Sequence, residues 1–247
     1  MDAFFVSYLI VKKRVKKTKN KKSTSIGRFA GKALLYFFGV TILWVLAYRF
    51  IDPPVTWLMI QRAFERKSAG KEWKIEKEWR DLDELSSNLK RAAMAGEDAA
   101  FPSHWGFDLK AIQQAYEKNQ AGGRIRGGST ISQQTAKNVF LWPGRSWIRK
   151  GFEAYFTVLI ELLWGKERIL EVYLNVIETG DGIYGVEAAC KHYYNKSAES
   201  LTKGQAALLV AVLPNPLRWT PASPTRYIYR RQTLIMRNMR RLGAIPF

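Results

Sequence analysis

Two glutamates and two fixed cations are the residues of this sequence whose types and spacing could carry chemistry. Glu97 and Glu153 lie on either side of a segment that contains Lys137, and Arg145 follows eight residues later. A carboxylate can take a proton from a sugar hydroxyl, while Lys and Arg neutralise a departing phosphate. The residue types therefore indicate glycosyl transfer from a diphosphate donor.

The segment 127–141 predicts a helix that begins beside an anion site. Thr130 can cap this helix, and Gln133 three residues later completes a capping box. The unpaired amides and positive dipole end of a helix N-terminus attract anions, and Lys137 lies one turn beyond Gln133. The same residues are equally compatible with an ordinary capped amphipathic helix whose cations are solvated.

The pair Glu97–Asp98 falls at the end of a predicted helix that begins at Leu82. A carboxylate there opposes the negative end of the helix dipole, so the placement is locally unfavourable. Residues that break a local rule are candidates for function. His104 is the other polar residue nearby, and we interpret it as structural.

Glu153 has a structural interpretation beside the functional one. Lys150 and Arg149 precede it by three and four residues, which is the spacing of ion pairs along one helix. The sequence leaves the choice between a catalytic carboxylate and a helix-surface ion pair open.

The elements that must position these residues are predicted to be helices, because apolar side chains recur at one-face spacing. Residues 65–80 show no clean period and are predicted to be an exposed connection, and 122–128 a mobile basic loop. Gly180–Gly185 match the dinucleotide fingerprint, yet no βαβ pattern surrounds them, so we predict a tight turn between helices. The fold class is mostly α, with helices expected over 82–96, 108–119, 130–141, 147–164, 166–176, 186–195, 202–213 and 224–242, the last capped by Ser223.

The N-terminal part of the chain predicts a membrane anchor. Residues 1–32 hold ten Lys and Arg against Asp2, and sixteen uncharged residues rich in Leu, Phe, Trp and Val follow. A flank of this charge is expected in the cytoplasm. We therefore predict a basic cytoplasmic tail (1–32), a transmembrane helix (33–51), a juxtamembrane connection (52–80) and a domain (81–247) beyond the membrane.

The sequence lacks the motifs of several common kinds of catalytic and metal-binding site. No Ser-His-Asp order, P-loop, zinc spacing or calcium loop is present, and Cys190 is the only cysteine, which excludes an internal disulfide. No cofactor is expected to be obligatory. A divalent ion (Mg²⁺ or Mn²⁺) held by a diphosphate stays open, because Mg²⁺ often takes few protein ligands.

Five blocks in order resemble the monofunctional peptidoglycan glycosyltransferases (family 51), relatives of the transglycosylase domain of bifunctional penicillin-binding proteins. The blocks are Glu97–Asp108, Gly127–Asn138, Arg149–Ala154, Lys166–Asn175 and Gly185–Pro214. The resemblance implies a lysozyme-like helical domain that polymerises lipid II with inversion and releases undecaprenyl pyrophosphate. The expected partners are lipid II, the lipid-linked growing glycan, the cytoplasmic membrane and cell-wall synthesis or division proteins, and no nucleic acid.

The same resemblance implies a role for each candidate site residue. Glu97 would be the general base, and Glu153 would assist departure of the pyrophosphate, directly or by organising a metal and cations. Glu171 is expected to be structural. Substrate binding is assigned to Lys137, Arg145, Lys150, Ser129, Thr130, Gln133, Gln134 and Asn138.

Two rival functions remain at this point. A peptidoglycan hydrolase or lytic transglycosylase would also use a helical lysozyme-like domain with a glutamate. A membrane-anchored anion-binding protein without enzymatic activity would explain the basic tail. The predicted cations beside the carboxylates favour glycosyl transfer, because hydrolysis has no leaving pyrophosphate.

Overall fold

The computed structural model describes residues 21–120 and 128–243 and divides the chain into two compact units, 1–45 and 46–247. Residues 1–20 of the predicted basic tail and 122–127 of the predicted basic loop lie outside the described residues. Helix α1 (Lys21–Phe50) contains the predicted anchor. Its segment Gly27–Phe50 is long and apolar enough to cross a membrane, with a mean hydropathy of 1.8.

The second unit is built mainly from helices, as the sequence predicts. They are α2 (Trp57–Ser68), α3 (Ser87–Glu97), α4 (Leu109–Gln120), α5 (Ile131–Phe140), α6 (Trp147–Leu163), α7 (Lys166–Val176), α8 (Val186–Tyr194), α9 (Lys203–Val212) and α10 (Arg226–Arg241). Short 3₁₀ turns occur at Leu82–Glu84, Phe101–Ser103 and Ala198–Ser200.

Two groups of helices make most of the core. Helix α5 packs against α6 and α7, while α3, α9 and α10 pack against one another. The fully buried side chains Leu89, Met94, Ile131, Ile169 and Leu209 come from both groups. The C-terminal end of α3 and the N-terminal end of α5, which carry polar residues, lie next to this apolar core.

A small sheet of three very short strands was not predicted. Strand β3 (Ile183–Tyr184) pairs in parallel with β1 (Glu76–Lys77) and antiparallel with β2 (Glu178–Gly180). Residues 65–80 are exposed or half-buried, as predicted, but they are not only a connection, because α2 runs to Ser68 and β1 joins this sheet. Strands of two or three residues are too short to show a period of two in the sequence.

The glycine-rich stretch 180–185 forms the β2–β3 hairpin and the start of α8, not a turn between two helices. Gly182 and Gly185 have φ of 78° and 77°. A Cβ on Gly185 would lie 2.8 Å from the carbonyl oxygen of Asn175. Backbone sterics therefore require glycine here, and no nucleotide site is needed to explain it.

Helix boundaries follow the capping residues. Ser146 accepts a hydrogen bond from the amide of Arg149, as predicted. Two other starts were placed wrongly: α3 begins at Ser87, five residues after the expected start at Leu82, with Ser86 as its cap, and Thr225, not Ser223, caps α10. For α10 the correct cap is another hydroxyl residue two positions later, and the sequence alone does not rank Thr225 below Ser223.

Candidate active site

Glu97 is the last residue of α3, and its carboxylate is held by two other helices. The side-chain amide of Gln134 on α5 donates to Oε2 at 3.1 Å, and the guanidinium of Arg231 on α10 donates to Oε1 at 3.0 Å. The Glu97 side chain is 12% exposed. Each carboxylate oxygen can accept a second hydrogen bond, so the group can still receive a proton from a ligand.

The environment of Glu97 tunes it as a base. Burial raises the pKa of this carboxyl above its usual range, while the hydrogen bonds and charges of Gln134, Arg231 and Lys137 oppose that rise. A carboxylate with a raised pKa is a stronger base when it is ionised. The arrangement suits proton abstraction near neutral pH.

Glu97 lines a cleft with a volume of about 490 Å³, here called the Glu97 cleft. Its lining includes the carboxylate of Glu97 together with three cations, Lys137, Arg145 and Arg149, as well as a second carboxylate paired with a fourth cation. Gln134 and Asn138 of α5 also line it. An anion in this cleft would meet positive charge, and a hydroxyl beside that anion could reach the base.

The cations of the cleft differ in their surroundings. Burial lowers the pKa of Lys137, with Arg149 and Lys150 acting in the same direction and Glu153 and Glu97 against it. Arg145 is exposed and follows Gly144, whose φ of 127° turns the chain after Pro143. The cleft therefore combines a half-buried ammonium with an exposed guanidinium.

Glu153 is buried behind these cations and does not line the Glu97 cleft. Lys150 pairs with Glu153 through its ammonium, and a guanidinium nitrogen of Arg149 lies 3.9 Å from Glu153 Oε2. The ion pairs expected along the helix are thus present. Because Glu153 also raises the pKa of Lys137, it helps to keep that residue protonated.

The other predicted site residues divide between the cleft, the start of α5 and, for Lys150, the first turn of α6. Thr130 and Gln133 form the predicted capping box, with the Gln133 side chain accepting from the Thr130 amide at 3.0 Å. Thr130 also donates to the carbonyl of Gly106 at 2.6 Å. Ser129, Thr130, Gln133 and Lys150 lie outside the cleft lining, whereas Gln134, Lys137, Asn138 and Arg145 line it.

Arg231 was missed by the sequence reasoning. A signal for it exists, because Arg231 falls on the same face of α10 as Ile228, Ile235 and Met239, all of which are buried. An arginine on an apolar helix face needs a partner. Its partner is 134 residues away in sequence, and the spacing does not identify it.

The opposite part of the Glu97 cleft was not predicted either. Arg62 on α2 donates from Nε to Glu178 at 3.1 Å, and both residues line the cleft. Burial raises the pKa of Glu178, against the charge of Arg62. These residues lie in segments without a recognisable motif.

A metal site made by protein side chains would need several His, Cys, Asp or Glu residues close together. Within residues 21–120 and 128–243, no group of three or more His, Cys, Asp and Glu could hold a metal ion. Glu153, beside the cations of α6, is paired with Lys150. The protein side chains described therefore do not form a metal cage of their own.

Comparison with known proteins gives one consistent result. Residues 66–240 match the family profile described as Transglycosylase. A biosynthetic peptidoglycan transglycosylase of Pseudomonas fluorescens is 52% identical over 213 residues, 86% of this chain and 89% of the relative. Proteins of the same description from Pseudomonas syringae and Xanthomonas campestris are each 51% identical, over 89% and 88% of this chain and 93% and 89% of their own lengths.

Proposed function

The chain belongs to the transglycosylase family and is a peptidoglycan glycosyltransferase, and from that premise we propose that it polymerises lipid II with inversion at the anomeric carbon. The lipid-linked growing glycan is the donor, and lipid II is the acceptor. The domain described above is the lysozyme-like helical domain of this family.

In the proposed step, the acceptor 4-hydroxyl oxygen forms the new bond to the anomeric carbon of the donor. The bond from that carbon to the pyrophosphate oxygen breaks, and its electron pair leaves with undecaprenyl pyrophosphate. Glu97 takes the hydroxyl proton, and Lys137 and Arg145 neutralise the charge of the leaving group. A positioned base of this kind contributes about 10²–10⁴-fold to rate.

The observation that carries the proposal is the shared cleft of Glu97, Lys137 and Arg145. Proton abstraction and departure of an anion are required at the same time, so both groups must face one substrate pair. A hydrolase that cleaves finished glycan has no leaving pyrophosphate and no need of these cations. This is the reason for preferring polymerisation over cleavage.

Glu153 is proposed to act through the cations and not on the sugar. Its contacts with Lys150 and Arg149, and its effect on Lys137, keep positive charge beside the donor pyrophosphate. Gln134 and Asn138, which line the cleft, are proposed to contact the substrate's polar groups directly, and Lys150, outside the cleft lining, is proposed to support binding through its positive charge. Ser129, Thr130 and Gln133 are proposed to support binding by shaping the start of α5.

The anchor helix supports a location at the cytoplasmic membrane. We propose that the basic tail lies in the cytoplasm and the catalytic domain on the periplasmic side, where lipid-linked substrates are held at the surface. Trp142, which lines the cleft, and Trp147, at the start of α6, are exposed and are proposed to contact lipid, whereas Phe140 and Leu141 are buried in the core. Cell-wall synthesis or division proteins are proposed as partners.

A polymerisation assay with the purified full chain in detergent tests the proposal. Lipid II should give glycan polymer and undecaprenyl pyrophosphate, and Glu97→Gln should give neither while it remains folded. Cleavage of preformed glycan in place of polymer would establish the hydrolase instead. Turnover by Glu97→Gln would remove Glu97 from the role of base.

Two further arms of the same assay test the remaining alternatives. No obligatory cofactor is proposed, and comparison of chelator with added Mg²⁺ or Mn²⁺ measures any contribution of an ion held by the pyrophosphate. Deletion of residues 1–32 should leave polymerisation in detergent intact. Loss of all measurable function on this deletion would favour an anion-binding protein whose basic tail does the binding.

A further inference from the structure

The C-terminal helix α10 is fastened to the helix that carries Glu97. Arg91 on α3 donates to the carbonyl groups of Met239 at 2.8 Å and Leu242 at 2.6 Å, near the end of α10. Asn238 on α10 donates to the carbonyl of Ala95 at 3.3 Å. These bonds fix the position of α10 along α3.

The two helices also meet closely at the catalytic end. A Cβ on Gly96 would lie only 3.2 Å from Cδ1 of Ile235, so the absence of a side chain at Gly96 favours this close approach. Ile235 lies one turn after Arg231, and Glu97 follows Gly96 directly. Consecutive residues of α3 therefore face residues one turn apart on α10, and this register brings the Arg231 guanidinium onto Glu97.

The polar and charged groups around Glu97 come from α10, α5 and α7 and from the residues that follow Glu97 in the chain. Arg231 on α10 and Gln134 on α5 touch the carboxylate, and Lys137 on α5 adds positive charge. Tyr173 on α7 is buried and interacts electrostatically with Glu97 and with Asp98, the next residue. Asp98 is paired in turn with His104.

Among these groups Arg231 has a distinctive property. Gln134 is neutral, and burial lowers the pKa of Lys137, whose charge is also needed by the donor. A guanidinium stays protonated at every working pH. Arg231 is thus the permanent positive charge that directly contacts the Glu97 carboxylate.

We propose that Arg231 is a positioning residue for glycosyl transfer, whose guanidinium orients the Glu97 carboxylate and keeps it negatively charged until it accepts the hydroxyl proton. Arg231 acts through Glu97 and does not itself contact the reacting atoms. This inference rests on the proposed role of Glu97 as general base. It gives the C-terminal helix a function in catalysis as well as in packing.

The test is the pH dependence of polymerisation in the full-length chain. Arg231→Met removes the charge, Arg231→Lys keeps it, and Arg230→Met is the matched control on the exposed neighbouring position. Loss of a contacting guanidinium is expected to move the acid limb of the kcat profile up by about one to three pH units. Arg231→Lys should restore most of this shift, and Arg230→Met should overlay the parent profile.

A second measurement reads the same effect without turnover. Carbon-13 NMR of glutamate carboxyl groups gives the titration of Glu97, identified by the signal that Glu97→Gln removes. Arg231→Gln, which keeps a hydrogen-bond donor and removes the charge, serves if Arg231→Met does not fold. A Glu97 titration and acid limb unchanged in the folded variants would overturn the inference.

The two proposals fail in different ways. Turnover by Glu97→Gln would remove the general-base role, whatever the Arg231 variants do. An inactive Glu97→Gln together with an unmoved acid limb in the Arg231 variants would remove only the positioning role. A uniform loss of activity at every pH in those variants would indicate a purely structural arginine.

Discussion

The carboxylate of Asp98 accepts a hydrogen bond from the backbone amide of Ile131 at 3.0 Å, and so joins the end of α3 to the start of α5. The same carboxylate lies 3.0 Å from Nε2 of His104. Its unfavourable place at the C-terminus of α3 is offset, because it also lies at the positive end of α5. The helix that carries Glu97 is thereby fixed to the helix that carries Gln134 and Lys137.

Asp98→Asn is predicted to destabilise the protein and to reduce activity. The substitution removes a buried charge that accepts from Ile131 and His104, and hydrogen bonds to charged groups contribute about 1.5–3 kcal/mol. Urea unfolding should show a loss of that size. Asp83→Asn, at an exposed position that accepts only from the neighbouring Glu84 amide among the described contacts, should change stability little.

How far the sequence predicts this site depends on the range of each contact. The capping box of Thr130 and Gln133 and the pairing of Glu153 with Lys150 are local in sequence, and both follow from spacing alone. The link from Asp98 to Ile131 spans 33 residues, and that from Glu97 to Arg231 spans 134. Such contacts depend on how helices pack, which periodicity does not specify.

The fold was predicted to a similar extent and for the same reason. The helices from α3 to α10 were predicted in class and order because they have a clear apolar period, whereas α2 (Trp57–Ser68) was not predicted. The three short strands were missed because they pair residues that are far apart in sequence. For example, Glu76 of β1 lies opposite Ile183 of β3, and this pairing depends on tertiary contacts. Cap positions were displaced where a second hydroxyl residue lay close by, as for Ser223 and Thr225.

Glu97→Gln is predicted to abolish polymerisation without destabilising the protein at neutral pH. Burial raises the pKa of Glu97 in the folded state, so the folded protein binds more protons than the unfolded chain above about pH 4.3. Stability of the parent therefore falls as pH rises through that window, and the neutral glutamine avoids this cost. Melting temperatures across pH 4–8 should favour the variant increasingly at the higher pH values.

Glu187→Gln is the matched comparison, because Glu187 is also buried but has a structural role. Its carboxylate accepts from the Ala198 amide at 2.7 Å and pairs with Arg80 at 3.3 Å. Replacement should lower the free energy of unfolding by about 1.5–3 kcal/mol. Equal destabilisation by both substitutions would contradict the interpretation of Glu97 as a residue placed for function at some cost to stability.

Glu153→Gln is predicted to move the alkaline limb of the activity profile to lower pH. Burial lowers the pKa of Lys137, and the charge of Glu153 opposes this effect, so its removal lowers that pKa further. Lys137 then loses its proton at a lower pH, and the positive charge that neutralises the leaving pyrophosphate disappears with it. The alkaline limb of kcat against pH measures the shift directly.

Glu161→Gln is the control for this experiment, because Glu161 lies two turns later on the same helix and is buried too. It pairs with Lys166 at 2.7 Å and accepts from Ser132 at 2.5 Å. The substitution should reduce stability but leave the alkaline limb in place. The same shift in both variants would show that the effect is a general loss of charge and does not pass through Lys137.

Gly96→Ala is predicted to separate α3 from its partners and to reduce both stability and activity. The added Cβ would lie 2.6 Å from Cγ1 of Val210, and overpacking of this kind costs about 1–3 kcal/mol. Val210→Ala removes the obstructing methyl groups, so the double variant should recover part of the lost activity. Gly151→Ala on α6, where the Cβ would meet nothing within 4 Å, should instead stabilise the helix by about 0.5–1 kcal/mol. Thermal unfolding and the polymerisation rate of the four variants measure both effects, and a Gly96→Ala protein with parental activity would show that the close approach of α3 is not required to position Glu97.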